Sequence, residues 1–326
     1  MKKMKKLLLL TLLYPFILIS QVQIGSDIDG AMAEDNLGFS VSLSSDGSIM
    51  AIGARFNDVN GLDSGHVRVY ANQAGTWTQI GSNINGEAAF DFSGSSVSLS
   101  SDGSVVAIGA PDNSGNAFGS GHVRVFENQS GIWSQIGSDI DGEASDDESG
   151  SSVSLSSDGN VVAIGSPFSD GSANTSGQVR VYENQGGTWT QIGSDIHGEA
   201  EGNQSGRSVS LSSDGSVVAI GAPFSDGNAD SSGQVRVYAN QGGTWNQIGS
   251  DIHGEDEGDR SGSSVSLSSN GSVVTIGAEY NDGNGSESGH VRIFENQSGT
   301  WTQIGSDIDG EAGGDQLGSS VSLSSD

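Results

Sequence analysis

The sequence predicts an all-β protein, a β-propeller of four-stranded antiparallel blades, and three observations carry that prediction. Trp77, Trp133, Trp189, Trp245 and Trp301 stand 56 residues apart and are the only tryptophans in the chain. Arg68, Arg124, Arg180, Arg236 and Arg292 keep the same interval, as do Ile24, Ile80, Ile136, Ile192, Ile248 and Ile304, each followed by glycine. Each copy also holds four short strand-like runs separated by turn residues. A fixed period means stacked supersecondary units, and four antiparallel strands per unit match one propeller blade. Solenoid and β-helix repeats, at roughly 20–29 residues or less, are too short to compete.

The copy at 80–135 shows how each element arises. Ser96-Val97-Ser98-Leu99-Ser100 alternates apolar and polar residues, as a strand with one face on the core does. Ser101-Asp102-Gly103 is a turn whose glycine tolerates positive φ. Val105 to Ala110 is apolar almost throughout, the pattern of a strand covered on both faces. After a loop from Pro111 to Gly121, His122-Val123-Arg124-Val125-Phe126 forms a third strand. Asn128-Gln129-Ser130-Gly131 turns the chain into a fourth, Ile132 to Ile136. Trp133 and Ile136 have opposite parity there, so a bulge or strong twist is expected if both face the core.

The units run 24–79, 80–135, 136–191, 192–247 and 248–303, with a partial copy at 304–326. Five full blades are therefore expected, plus a leading outer strand (Gln21 to Ile28) and a trailing inner strand (Ser319 to Ser324). Two readings stand: the five units close alone, or the sequence is a fragment of a six- or seven-bladed ring. The stop at Asp326, inside a turn, favours the second.

Residues 1–20 have the layout of a secretory signal peptide. Lys2, Lys3, Lys5 and Lys6 form a basic start, Leu7 to Ile19 is a short apolar run, and Ser20 is a small residue for cleavage. The expected location is secreted or on the cell surface, with no membrane insertion after cleavage. The whole chain carries a formal net charge of −29. Its four lysines all lie in the leader, leaving eight arginines against 41 acidic residues. Nucleic-acid binding is excluded on that ground, since phosphate contacts need clustered Lys and Arg. The chain has no cysteine, so neither disulfide staples nor thiolate chemistry are available.

The glycines carry a family resemblance. The pairs Leu37-Gly38, Ser93-Gly94 and Ser149-Gly150 open each copy, and Gly109-Ala110-Pro111, Gly165-Ser166-Pro167 and Gly221-Ala222-Pro223 close a strand pair later. The chain from about Gln21 onward resembles the FG-GAP repeat family, the propeller repeats of integrin α-subunit heads. It departs by lacking Phe before the opening glycine. It also lacks the family's calcium loop between the first and second strands, where only the tight Ser45-Asp46-Gly47 type of turn stands. The resemblance implies a propeller used in extracellular recognition or adhesion.

The best candidate for a metal site is the loop joining one blade to the next. Its third copy carries Asp139, Asp141, Glu143 and Asp147, and its last carries Asp307, Asp309 and Asp315. Alternating carboxylates around a glycine bend suit Ca2+, which takes six to eight oxygen ligands; the alternative is an acidic turn loop. A second loop, Asn57-Asp58-Val59-Asn60-Gly61-Leu62-Asp63, offers a weaker version. His66, His122 and His290 share one repeat position with Gln178 and Gln234, which points to a hydrogen-bonding or surface role. The arginine series is placed to pair with acids of neighbouring blades, and the tryptophans to pack between blades.

Near-identical copies leave no specialised blade. The expected function is a non-catalytic interaction or adhesion module with an extracellular protein or glycan as partner. The alternative is a carbohydrate-binding propeller with calcium assistance. An enzyme would need an acid or histidine that breaks the symmetry at the channel mouth, and none stands out in the repeat.

Overall fold

The computed structural model describes residues 23–324, so the expected signal peptide and Gln21 lie outside the described residues. Five antiparallel sheets follow one another, each ordered inner, second, third and outer strand. In the second blade these are Ser96–Leu99, Val105–Ala110, His122–Gln129 and Ile132–Gln135. A two-residue strand, Ile140–Asp141, then pairs with the start of the third strand, His122 opposite Asp141. No helix among the described residues is long and apolar enough to cross a membrane.

Each local element follows from its residues. In the Ser100-Ser101-Asp102-Gly103 turn, Gly103 takes φ 70°. Asp102 Oδ1 accepts from Ser104 Oγ at 2.7 Å, from the Ser104 amide at 2.9 Å and from Ser100 Oγ at 2.8 Å. These donors hold its carboxyl below the usual range. The second strand is buried along its whole length because its two faces meet different blades. Val106 and Ile108 pack with Val67, Val69 and Ile84 of the first blade, while Val105 and Ala107 pack with Leu155, Val162 and Ile164 of the third. Burying a side chain such as Ile164 stabilises the ring by about 2–3 kcal/mol.

The parity of Trp133 and Ile136 is obeyed. Trp133 packs toward the first blade beside Ile80, and Ile136 packs toward the third beside Trp189. The two residues therefore lie on opposite faces, and the expectation of a shared face is corrected. The outer strand does break, but one step later, between Gln135 and Ile140. Every indole is half-buried and donates its Nε1–H across a blade boundary, as in Trp189 to the Ile136 carbonyl at 2.9 Å. Trp189→Ala is expected to destabilise by about 2–3 kcal/mol, below a fully buried tryptophan. A urea melt reads this; an unchanged midpoint would show that the contact contributes nothing.

The ring has six inner positions. Leu43, Leu99, Leu155, Leu211, Leu267 and Leu323 together line an axial cavity of about 180 Å³. A circuit of backbone hydrogen bonds runs beside it, Ser45 to Ser101, Ser101 to Ser157 and onward, at 2.8–2.9 Å. Residues 319–324 take the sixth inner place without forming a regular strand, and the Leu323 amide donates to Ser266 Oγ at 3.0 Å. Residues 24–29 take an outer place: Trp77 Nε1 donates to the Ile24 carbonyl and Arg68 to that of Asp29. The face of the first blade toward this sixth position is open, with Val41 52% exposed where its counterpart Val265 is 8%.

Candidate active site

The inner strand begins where the second strand ends, since Leu37 pairs with Ala54. Residues flanking both points meet at one end of the ring, opposite the leucine cavity. The repeat is broken here. The residue two before each inner-strand glycine pair's end reads Asn36, Phe92, Glu148, Gln204, Arg260 and Gln316 around the ring. Phe92 and Glu148 both hold a left-handed backbone with φ 52°, a conformation that costs a non-glycine residue about 1–3 kcal/mol. The Ser95 and Ser151 amides donate back to their carbonyls at 3.1 Å and fix the bend.

A cavity of about 400 Å³ opens at this mouth, lined by Phe39, Arg55, Phe56, Phe92, Asp112, Glu148 and Arg207 among others. These come from four successive copies. The Arg55 guanidinium stacks over Phe39 at 3.7 Å and Phe56 at 4.5 Å, and Phe56 meets Phe92 edge-on at 5.6 Å. Arg55 Nε is buried with no hydrogen-bond partner, and burial lowers the guanidinium pKa against the pull of Asp112. Burial raises the Asp112 carboxyl, Arg55 opposing and Asp146 adding. Glu148 is pushed up to about 7, chiefly by burial and then by the Asp112 charge, with Arg207 opposing. A carboxyl poised near neutrality within reach of the Arg207 charge is equipped for proton transfer. A more apolar cavity of about 680 Å³, lined by Phe90 and Phe118, shares Phe92 and Asp112 with the mouth.

The expectation that no acid breaks the symmetry at the mouth is thereby corrected. Glu148 escaped the repeat reading because its column has no consensus, and Asp112 because it is the one exception in an otherwise aromatic column of Phe56, Phe168, Phe224 and Tyr280. The usable signals were that variability and that single acidic departure.

The acidic blade-joining loops are arranged differently from a single calcium loop. Asp147 is buried and accepts from the Ala144 amide at 3.0 Å, closing its own turn, and Asp315 does the same with Ala312 at 2.8 Å. Burial raises the Asp147 carboxyl. Asp141 and Asp309 sit on the two-residue strands Ile140–Asp141 and Ile308–Asp309. Glu143 lies 3.7 Å from Arg180 and accepts from Gln178 at 3.1 Å. Asp139 and Asp307 part from their loop neighbours and join other residues. Among the described residues, Glu87, His122 and Asp139 form one group able to hold a metal ion, and Glu255, His290 and Asp307 form another. In the second loop, Asp58 is engaged with the Asp63 amide at 2.8 Å.

His66, His122 and His290 are buried, which corrects the surface alternative; Gln178 and Gln234 do make hydrogen bonds there. Burial, then the Arg124 charge, lowers His122 to about 4, so the imidazole is neutral. Arg124 Nη2 donates to the Asn85 carbonyl at 2.7 Å and Nη1 lies 3.5 Å from Glu87; Arg180, Arg236 and Arg292 pair with a glutamate in the same way, while Arg68 donates to the Asp29 carbonyl.

The FG-GAP repeat model matches residues 26–70. Among solved structures, the chain is similar to the periplasmic gluconolactonase of Pseudomonas aeruginosa, with a TM-score of 0.57 and 17% identity over 82% of this chain and 71% of that one. It is also similar to hydrazine synthase of Kuenenia stuttgartiensis, with a TM-score of 0.53 and 14% identity over 86% of this chain and 69% of that one. No curated protein sequence matches. Identities this low bear on fold alone. They still remove the ground for a non-catalytic interaction or adhesion module: propellers that resemble this chain are named for enzymatic activities, and the symmetry-breaking mouth is present. That expectation is corrected.

Proposed function

We propose that this FG-GAP-like propeller repeat protein is a hydrolase of small ester or lactone substrates, working at the mouth lined by Glu148, Asp112, Arg55 and Arg207. The observation that carries the reading is the Glu148 carboxyl, held near 7 among charged residues that occur in no other copy. The name of the gluconolactonase neighbour supports the substrate class by fold-level analogy. The basic and apolar leader supports export and, with it, a reaction outside the cytoplasm.

In this scheme the Glu148 carboxylate takes a proton from water as the hydroxide oxygen adds to the substrate carbonyl. The developing oxyanion lies against the guanidinium of Arg55 or Arg207. Collapse breaks the carbon–oxygen bond, and the protonated Glu148 returns its proton to the leaving alkoxide. The products are a carboxylic acid and an alcohol, joined in one molecule when the substrate is a lactone. The apolar annex beside Phe90 and Phe118 accommodates a hydrophobic substituent.

The test is hydrolysis of a panel of sugar lactones and aryl esters by the wild-type chain and by Glu148→Gln. Activity that falls by roughly 10²–10⁴-fold in the variant supports the reading. No turnover of any panel member, or turnover indifferent to Glu148, overturns it.

A further inference from the structure

The two Glu–His–Asp groups are built sites in a stronger sense than clustered acids. His122 is 1% exposed and its imidazole makes no hydrogen bond at normal length: Nε2 has no partner, and Nδ1 faces Glu87 Oε2 at 4.0 Å and Asp139 Oδ2 at 3.9 Å. Each carboxylate has its other oxygen engaged. Glu87 Oε1 lies 3.5 Å from Arg124, and Asp139 Oδ1 accepts from Gln135 at 2.7 Å. One oxygen of each is thus held in place and the other is turned to the imidazole, as in metal sites whose ligands are oriented by outer partners.

The same arrangement recurs three copies on. Glu255 Oε1 lies 3.4 Å from Arg292, Asp307 Oδ1 accepts from Gln303 at 2.6 Å, and His290 is buried with Nε2 unpartnered. The ligand atoms of each group lie within 4.8 Å of one another. The intervening copies are the contrast. Where Gln178 and Gln234 replace the histidine, the amide donates to Glu143 at 3.1 Å and to Glu199 at 3.2 Å, and the arrangement completes itself. Among the described residues, only the copies holding His122 and His290 bring a nitrogen and two carboxylate oxygens together in this way, since the first copy, with His66, has Ala31 in place of the glutamate.

We propose that the second and fifth blades each bind one divalent transition-metal ion of the zinc class through Glu87, His122 and Asp139, and through Glu255, His290 and Asp307. One imidazole and two carboxylates suit Zn2+ or Co2+ with water completing the shell; Ca2+ prefers oxygen alone. Glu87 is 45% exposed and Asp139 31%, so an ion and its waters reach the site from solvent. The two sites lie across the six-position ring from each other, and each ties a third strand to the loop of the preceding blade.

The test is Co2+ titration of the EDTA-dialysed full chain, read by visible d–d absorption and by equilibrium dialysis. Two ions per chain are expected. His122→Gln should leave one and the double variant with His290→Gln none. Both variants should fold, because glutamine occupies this position in the third and fourth blades. Gln178→His, beside Glu143 and Asp195, should raise the count to three. Excess Ca2+ should not displace the Co2+ band. Absence of stoichiometric Co2+ binding overturns the proposal, as does a stoichiometry that the His→Gln changes leave unaltered.

Discussion

Gly165→Ala is expected to destabilise the ring by roughly 3 kcal/mol or more. A Cβ at Gly165 would run into the carbonyl oxygen of Gly206 in the next blade and into Ser152 Oγ, which itself donates to that carbonyl at 2.8 Å. The obstacle is backbone, which cannot rotate aside. The closing glycine of one motif thus faces the opening glycine of the next across a blade boundary, where there is room for hydrogen only. Gly186→Ala is the control: Gly186 has φ 65° but nothing within 4 Å of an added Cβ, so it loses only the left-handed preference, about 1 kcal/mol. Urea midpoints of the two variants separate steric from conformational cost. Equal losses would mean the glycine pair is not a contact point between blades.

Glu148→Gln is expected to remove hydrolysis and at the same time to stabilise the protein above pH 7. The folded pKa of about 7 lies above the ordinary 4.5, so the fold favours the neutral acid. The stability this confers is complete below about pH 4.5 and is lost as pH rises toward 7. Above 7 the ionised carboxylate carries the full penalty, which Gln lacks. After allowance for partial solvent screening, the gain is about 1 kcal/mol at pH 8 and near zero at pH 4. A gain in stability coupled to a loss of activity is the mark of a group held out of its comfortable state for function. A variant that is less stable at pH 8 would place Glu148 in a structural role instead.

The fold was legible because a propeller repeats its physics as well as its letters. The second strand is apolar on both faces since it meets two blades, and that shows in Val105 to Ala110 before any coordinates are known. The glycine pairs and the arginine-to-acid contacts were readable for the same reason. What periodicity conceals is whatever does not repeat. Asp112 and Glu148 lie 36 residues apart in different copies and in different columns, and the packing of adjacent blades brings them to one cavity. Asp139 was legible as a candidate ligand, but its companions were not. Glu87 and His122 come from the loop and the third strand of the preceding copy, so a search for ligands within one loop could not join them. The end segments were legible as a leading outer and a trailing inner strand, and residues 24–29 and 319–324 do take outer and inner places at a sixth position.

The most direct test of the catalytic mouth needs no substrate. Glutamate side-chain carboxyls labelled with ¹³C can be titrated by NMR, with the Glu148 resonance assigned by its absence in Glu148→Gln. A midpoint near pH 7, shifted downward by Asp112→Asn, is the result predicted by a buried carboxyl that feels the Asp112 charge. A midpoint in the ordinary glutamate range, about 4–5, would contradict it and remove the basis for acid–base chemistry at this end of the ring.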